Sequence, residues 1–181
     1  MKKTGTLYLI PTPMGGERLE HILPADTIAI AQKLTHFIVE APKTARAHLK
    51  LFGTPHELRS LWMQELSEHT KDSELAALLA PLIAGHDVGL MSEAGCPGVA
   101  DPGANLVRLA HGKGIRVAPL VGPSSILLAL MAAGASGQQF RFNGYLPAQD
   151  PARIETIRRL EADSRKHKQA EIFIETPYRN P

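Results

Sequence analysis

Hydrophobic and polar positions follow two alternating patterns along the first 120 residues. Short apolar runs predict strands at residues 6–10, 35–39, 88–91 and 115–120, with a candidate short strand at 58–62. Apolar side chains at helical spacing predict helices at residues 25–34, 44–52, 73–84 and 102–111. Because strands and helices alternate, we expect an α/β fold with a largely parallel sheet over residues 1–120.

Three residues bear on where individual helices begin and how they run. Asp26 is a candidate N-cap of the first helix, and Pro81 is expected to kink the helix over residues 73–84. Residues 126–133 are apolar on every side, which is typical of a buried helix, and Ser124 is a natural N-cap for it. We expect this helix at the junction between two lobes.

The pattern changes after residue 120, and we divide the chain there into domains 1–120 and 121–181. Residues 140–146 alternate like an exposed strand, and a helix that opens at Asp150 and Pro151 is predicted to turn three apolar side chains inward: Ile154, Ile157 and Leu160. Residues 170–175 resemble a central strand with neighbours on both sides. Because the chain stops before supplying them, we expect the second domain to be incomplete.

The strongest candidate ligand site lies in residues 87–105, DVGLMSEAGCPGVADPGAN. An apolar strand ends at Met91 and is followed by a loop rich in glycine and proline, which fix unusual backbone angles and let a ligand approach the main chain. Ligands bind at the carboxyl ends of parallel strands. A plain tight turn is the alternative interpretation, but a turn needs neither this length nor the carboxylates Glu93 and Asp101.

A second acid, Glu40, follows the second predicted strand. Many α/β folds bind a ribose hydroxyl at this position, although a solvated loop acid explains it equally well. His69 is interpreted as a surface or loop histidine. It has no second His or Cys at metal-ligand spacing, so we predict no metal site.

Composition narrows the functional classes only slightly. The formal net charge of +2 argues neither for nor against nucleic acid, so any basic surface must be local, as in residues 153–168, where a solvated helix face is the simpler interpretation. The single cysteine, Cys96, permits no disulfide within the chain and fits a reducing cytoplasm. No apolar stretch approaches the ~18 residues of a membrane span.

Six segments, in order and in register, resemble the tetrapyrrole-methylase superfamily, and within it the ribosomal RNA small-subunit methyltransferase I branch. They are LYLIPTP, FIVEAPKTAR, HDVGLMSEAGCPGVADPGAN, LVGPSSILLALMAAG, FRFNGYLP and IFIETPYRN. The resemblance implies a two-lobed α/β fold, with a mostly parallel sheet in the first lobe and a mixed sheet in an apparently truncated second lobe. It also implies S-adenosylmethionine as cofactor, ribose 2′-O-methylation of small-subunit ribosomal RNA, and a homodimer.

The resemblance also implies roles for particular residues. It places these in contact with the cofactor: Pro13, Ser92, Glu93, Ala94, Gly95, Pro97, Ser124 and Ser125. An acceptor hydroxyl needs a base, for which we favour Glu93 and then Glu40, with Asp101 and His69 as further candidates. A carboxylate at Glu93 would serve equally well to hold the ammonium group of the cofactor.

The central loop has SEAGCPG where the better-known members of this branch have SDAGTP, so the chain resembles a variant subgroup. Two further departures put the RNA target in question: residues 41–43 are Ala-Pro-Lys where those members have Asp-Thr-Arg, and Gly16 replaces an asparagine. Two other functions therefore stay open: methylation of a tetrapyrrole or other small metabolite, and a non-catalytic RNA-binding module. Steep weakening of binding by salt would distinguish RNA contact from binding of a small cofactor.

Overall fold

A computed structural model of the chain describes residues 3–15 and 18–176. The chain forms two compact units that divide between Pro123 and Ser124. None of the helices in the described residues is long and apolar enough to cross a membrane.

The first unit is built on a five-stranded parallel sheet. Its strands are β1 (Thr6–Leu9), β2 (His36–Val39), β3 (Trp62–Glu65), β4 (Val88–Met91) and β5 (Arg116–Pro119). They lie in the order β3-β2-β4-β1-β5, and each neighbouring pair is parallel. The predicted α/β class and parallel sheet are therefore confirmed.

Helices cover both faces of this sheet. They are α1 (Ala25–Lys33), α2 (Pro42–Leu51), α3 (Asp72–Leu78), α4 (Ala80–Ala84) and α5 (Ala104–Gly112). Side chains alternate along β2, so Ile38 packs into the core with α3, α4 and α5 while Phe37 packs into the core with α1 and α2. All four residues of β4 are buried, as expected of a central parallel strand.

Two local predictions for this unit are wrong and one is confirmed. The third strand is Trp62–Glu65 rather than residues 58–62. The expected effect of Pro81 is confirmed: residues 73–84 form two helices that meet at Leu79, because Pro81 lacks the N–H group that a continuous helix needs and lies in the first turn of α4. The N-cap prediction is the second that is wrong. Asp26 lies inside α1, whose N-cap is Pro24 without a side-chain cap.

The second unit contains α6 (Ser125–Ala133), β6 (Phe140–Tyr145), α7 (Ala152–His167) and β7 (Ala170–Ile174). The strands β6 and β7 pair in parallel, with an irregularity between Phe142 and Tyr145. The mixed sheet expected here is thus absent from the described residues, which form one parallel pair.

The prediction that the helix of residues 126–133 is buried is wrong. Leu127 and Leu128 are each 51% exposed and Met131 is 78% exposed, and Leu130 is the buried residue of α6. Ser124 does cap the helix, because its Oγ accepts a hydrogen bond from the Leu127 N–H at 3.5 Å. In α7, Leu160 is buried as predicted, whereas Ile154 and Ile157 are exposed.

Candidate functional site

Two loops at the carboxyl end of the sheet are joined by backbone hydrogen bonds. The loop after β1 contains Thr12, and the loop after β4 contains Gly95. The Thr12 N–H donates to the Gly95 carbonyl at 2.9 Å, and the Gly95 N–H donates to the Thr12 carbonyl at 3.1 Å. Thr12 is fully buried, and its hydroxyl donates to the Ser92 carbonyl at 3.4 Å. The loop after β1 thus fixes the path of the loop after β4.

Glu93 is held at three points by one residue directly after β2 and two residues of α2. Its N–H donates to Glu40 Oε2 at 3.0 Å, its carbonyl accepts from His48 Nε2 at 2.9 Å, and its Oε1 accepts from the Thr44 hydroxyl at 2.9 Å. Thr44 and His48 are four residues apart on α2 and therefore share one face of that helix. Since a carbonyl only accepts, His48 carries a proton on Nε2 in this arrangement.

The loop after β4 depends on glycine at two positions. Gly95 has a φ of +77° and Gly103 has a φ of +145°, conformations that residues with a Cβ rarely adopt. A Cβ on Gly103 would also lie 3.1 Å from Leu90 Cδ2. Gly95 and Gly103 therefore determine the backbone conformation of the loop that leads into α5.

Asp101 lies in the same loop as Glu93 and close to Glu40. Burial, together with the negative charges of Glu40 and Glu93, raises the pKa of Asp101 to about 6, while the Ser92 hydroxyl opposes the shift. Within the described residues no Lys or Arg forms an ion pair with these three carboxylates. The arrangement concentrates negative charge where the loops meet.

Ser92 contributes a hydroxyl group without a hydrogen-bond partner. The residue is 4% exposed, and in the described part of the chain its Oγ makes no hydrogen bond of ordinary length. It still lies close enough to Asp101 to favour the charged form of that carboxyl. A buried hydroxyl without a hydrogen bond within the protein can form one with a bound ligand.

The structure places the predicted site residues in three locations. Ser92, Glu93, Ala94, Gly95 and Pro97 share the loop after β4, where Glu93 and Ala94 are exposed and the others are buried. Pro13 is buried in the loop after β1, and Ser124 and Ser125 lie at the start of α6 in the second unit, so their contact with a cofactor stays a prediction. Gly16 and residues 177–181 lie outside the described residues.

Sequence reasoning missed the anchoring roles of Thr12, Thr44 and His48. A Thr and a His four residues apart on a helix indicate a shared face, but no local pattern indicates which loop that face contacts. His69, considered as a base, lies in an exposed turn after β3, where its N–H donates to Ser67 Oγ at 3.3 Å.

Comparison with known proteins shows what the chain is similar to. No protein-family model matches the chain. Proteins named ribosomal RNA small subunit methyltransferase I match it, at 34% identity in Xylella fastidiosa (strain Temecula1) and 33% in Escherichia coli O157:H7, over 99% and 97% of this chain. The chain is therefore similar to these methyltransferases over nearly its whole length. It spans 61% and 57% of the length of these two curated relatives.

Two solved structures have the same fold. A diphthine synthase matches with a TM-score of 0.62 at 13% identity, covering 95% of this chain and 65% of its own. The uroporphyrin-III-C-methyltransferase of Thermus thermophilus matches with a TM-score of 0.53 at 21% identity, covering 82% and 62%. The predicted tetrapyrrole-methylase-like fold is therefore confirmed.

Proposed function

We propose that this protein is an S-adenosylmethionine-dependent methyltransferase that acts on small-subunit ribosomal RNA, with a ribose 2′-hydroxyl as the methyl acceptor. The names of its relatives support the reaction and the substrate class. The observation that carries the proposal to this chain is the loop after β4, which joins Glu93, Asp101 and the buried Ser92 hydroxyl at the carboxyl end of the sheet.

The residues of this loop fit the chemistry of that cofactor. S-adenosylmethionine carries a positive sulfonium and a positive ammonium group, and the carboxylates of Glu40, Glu93 and Asp101 have no cation paired with them among the described residues. The Ser92 hydroxyl is free to accept or donate a hydrogen bond. Gly95 is buried and bonded to Thr12 through both its N–H and its carbonyl, so it fixes the loop on which Glu93 and Ala94 stay exposed.

We assign the first-unit contacts of the cofactor to six residues: Pro13, Ser92, Glu93, Ala94, Gly95 and Pro97. When bound, the cofactor supplies an electrophilic methyl group. The chain holds the loop in place through Glu40, Thr44 and His48, and it must supply a carboxylate that takes the proton of the acceptor hydroxyl.

Glu40 and Glu93 as bases stay predictions, and their contacts favour other roles. One oxygen of Glu40 already accepts the Glu93 N–H, so Glu40 anchors the loop. The Glu93 carboxylate is exposed and oriented by Thr44, which suits contact with a cationic group of the cofactor. The homodimer also stays a prediction, to be tested by sedimentation of the purified protein.

The proposal is tested by binding and by product analysis. Isothermal titration of the purified protein with S-adenosylmethionine is expected to give saturable binding. Incubation with small ribosomal subunits from cells that lack the gene is expected to add one methyl group to a ribose, detected by mass spectrometry of the RNA. Absence of binding at millimolar cofactor would contradict the proposal. Salt-sensitive RNA binding without methyl transfer would favour the RNA-binding module instead.

A charge-removing variant tests the role of the loop. Glu93→Gln keeps an oxygen that accepts from Thr44 but removes the negative charge, so cofactor affinity is expected to fall about tenfold. Glu65→Gln is the matched control, because Glu65 is an exposed acid at the end of β3 on the same edge of the sheet. Equal affinities for the two variants would remove Glu93 from the cofactor site.

A further inference from the structure

An open cavity of about 430 Å³ lies beside the carboxylates at the carboxyl end of the sheet. One wall is the segment after β3, which includes Leu66, Ser67 and Thr70. The other wall is formed by Asp101 and the start of α5, which includes Asn105. Sites for small molecules usually enclose about 300–1,000 Å³, so the cavity is large enough for one nucleoside.

We propose that this cavity binds the acceptor nucleoside of the RNA and that Asp101 is the base that takes the proton from its ribose hydroxyl. The inference rests on the proposed function and adds to it the place where the substrate binds. It also assigns the base to a residue other than Glu93 and Glu40.

The lining of the cavity has the chemistry of a nucleoside site. Leu66, Leu75 and the half-buried Pro102 are the apolar part of the lining, which suits the face of a base. Asn105 Oδ1 accepts from Arg108 Nη2 at 2.9 Å, while the Asn105 amide N–H groups have no partner in the described part of the chain. Those N–H groups can donate hydrogen bonds to the edge of a base, and proteins usually recognise the bases of single-stranded RNA through such bonds.

The charges around the cavity differ between its acidic interior and two cations next to its lining. Asp101 and Glu68 line it, and no Lys or Arg is among the described residues of its walls, so the interior disfavours a phosphate group. Lys71 directly follows Thr70, and Arg108 contacts Asn105, so two cations lie next to the lining residues. This arrangement favours a nucleoside inside the cavity and its phosphates outside.

Asp101 belongs to both the cavity and the loop assigned to the cofactor. It lines the cavity, and it also interacts electrostatically with Glu40 and Glu93 and faces the Ser92 hydroxyl. A base for methyl transfer must lie near the acceptor hydroxyl and the methyl group of the cofactor. Among the described residues that line the cavity, Asp101 is the one that also interacts with Glu40 and Glu93. Its pKa of about 6 leaves the carboxyl ionised near neutral pH and able to accept a proton.

The transfer step balances with these groups. The acceptor hydroxyl oxygen forms a bond to the methyl carbon, and its proton passes to the Asp101 carboxylate. The bond between that carbon and sulfur breaks, and its electron pair stays on sulfur, which cancels the sulfonium charge. No oxidant, reductant or metal ion is needed.

Filling the cavity tests where the RNA binds. Asn105→Trp is expected to weaken binding of a fluorescently labelled single-stranded RNA by about tenfold, measured by anisotropy, and to leave cofactor affinity within about twofold of the wild type. His111→Trp is the matched control, because His111 is exposed on the same helix and does not line the cavity. RNA affinity that is equal in the two variants, or no RNA binding by the wild type, would overturn the inference.

Removing the charge tests the base. Asp101→Asn is expected to lower kcat for methylation of small ribosomal subunits by about 100-fold or more while KM for the subunits changes by less than about threefold. Because the ionised form is the base, the wild-type rate should rise as pH increases through about 6, and the variant should lose this inflection. A variant that retains both kcat and the inflection would overturn the assignment.

The two levels of proposal fail in different ways. If the wild-type protein binds no S-adenosylmethionine and methylates no RNA, the proposed function fails, and the anisotropy experiment still decides whether the cavity binds RNA. If the wild type methylates RNA and the Asn105→Trp variant binds and methylates it equally well, the proposed function stands and the cavity inference fails.

Discussion

The two units of the chain bury their apolar side chains to very different extents. In the first, β4 is buried along its whole length and helices cover both faces of the sheet. In the second, the buried hydrophobic residues among those described are Leu130, Leu146 and Leu160, while Tyr145 and Phe173 are 53% and 45% exposed. A parallel sheet is stable when both faces are covered, and a two-stranded sheet is marginal without further packing.

Polar contacts join the two strands of the second unit instead. The Glu171 side chain is 6% exposed and accepts hydrogen bonds from Arg141 Nε at 3.0 Å, Asn143 Nδ2 at 2.7 Å and Gln169 Nε2 at 2.6 Å. Arg141 also pairs with Asp163 at 3.0 Å. The difference teaches that apolar burial specifies the first unit, whereas hydrogen bonds and charge contribute a larger share in the second.

Truncating one phenylalanine in each unit should give the largest contrast. Phe37→Ala in β2 removes a fully buried ring and is expected to lower the free energy of unfolding by about 3–5 kcal/mol. Chemical denaturation followed by fluorescence of Trp62, the single tryptophan, reports on the first unit.

Phe173→Ala in β7 is the matched change in the second unit. Because this ring is 45% exposed, its loss is expected to cost less than about 1 kcal/mol, measured by far-ultraviolet circular dichroism. If the two substitutions have equal costs, the proposed difference between the units is wrong.

Adding one methyl group should give a smaller contrast of the same sign. A Cβ on Gly89 in β4 would lie 2.6 Å from Ile10 Cδ1 and 2.9 Å from Phe37 Cδ1, so Gly89→Ala is expected to destabilise the first unit by about 1–3 kcal/mol. Gly137→Ala is the control, because a Cβ there would meet nothing within 4 Å. Thermal unfolding of the two variants checks this, and a stable Gly89→Ala protein would show that the core can shift to accept the methyl group.

The strands of the first unit could largely be predicted, because apolar runs mark buried strands directly. Residues 88–91 were placed correctly for this reason. The edge strand β3 was displaced, since an edge strand is half exposed and Gln64 and Glu65 interrupt its apolar pattern. The apolar sequence of α6 predicts a buried helix, but a sequence pattern does not show whether another element packs against that helix, and three of its large apolar side chains are exposed.

The candidate site divides in the same way. The glycines and carboxylates of the loop after β4 follow from local sequence, because glycine marks unusual backbone angles. The contacts of Glu93 with Thr44 and His48 join residues 49 and 45 positions apart, and no local pattern encodes them. The position of Asp101 between the carboxylates and a cavity likewise depends on how β3 and α5 lie in the fold.

The polar contacts of the second unit predict a response to acid. Burial raises the pKa of Glu171, but hydrogen bonds from Asn143, Gln169 and Arg141 outweigh burial and hold the pKa below its usual value. Stability from this group is therefore present above about pH 4.5 and is lost as pH falls through the lowered pKa. Hydrogen exchange of β6 and β7, corrected for intrinsic rates, should be faster in Glu171→Gln near neutral pH and should approach the wild-type value in acid.

Glu161→Gln is the matched control for that experiment. Glu161 pairs with Arg165 on the surface of α7, with side chains 59% and 80% exposed, and exposed pairs contribute little to stability. If Glu161→Gln changes exchange in β6 and β7 as much as Glu171→Gln does, net charge rather than the Glu171 contacts would explain the response.

The stability of the first unit should depend on pH in a higher range than the stability of the second unit, and this effect is the smallest of those predicted. The His36 ring stacks on His86 at 4.6 Å between ring centroids and lies 5.6 Å from the Trp62 ring, and its Nδ1 lies 3.0 Å from Thr35 Oγ1. Burial lowers the pKa of His36, and the charge of His86 lowers it further. Stability is therefore present above about pH 6.5 and is lost as pH falls through the lowered pKa.

Asp101 acts in the opposite direction, because its raised pKa makes the carboxyl less costly to bury as pH falls through about 6. The prediction is therefore a difference between proteins. Between about pH 7 and 5, wild-type protein followed by Trp62 fluorescence should lose more stability than His36→Gln, in which this titration is removed and Asp101 is unchanged. His111→Gln, a change at an exposed histidine on α5, should follow the wild type. A wild-type protein that parallels His36→Gln would mean that the histidine stack does not sense pH.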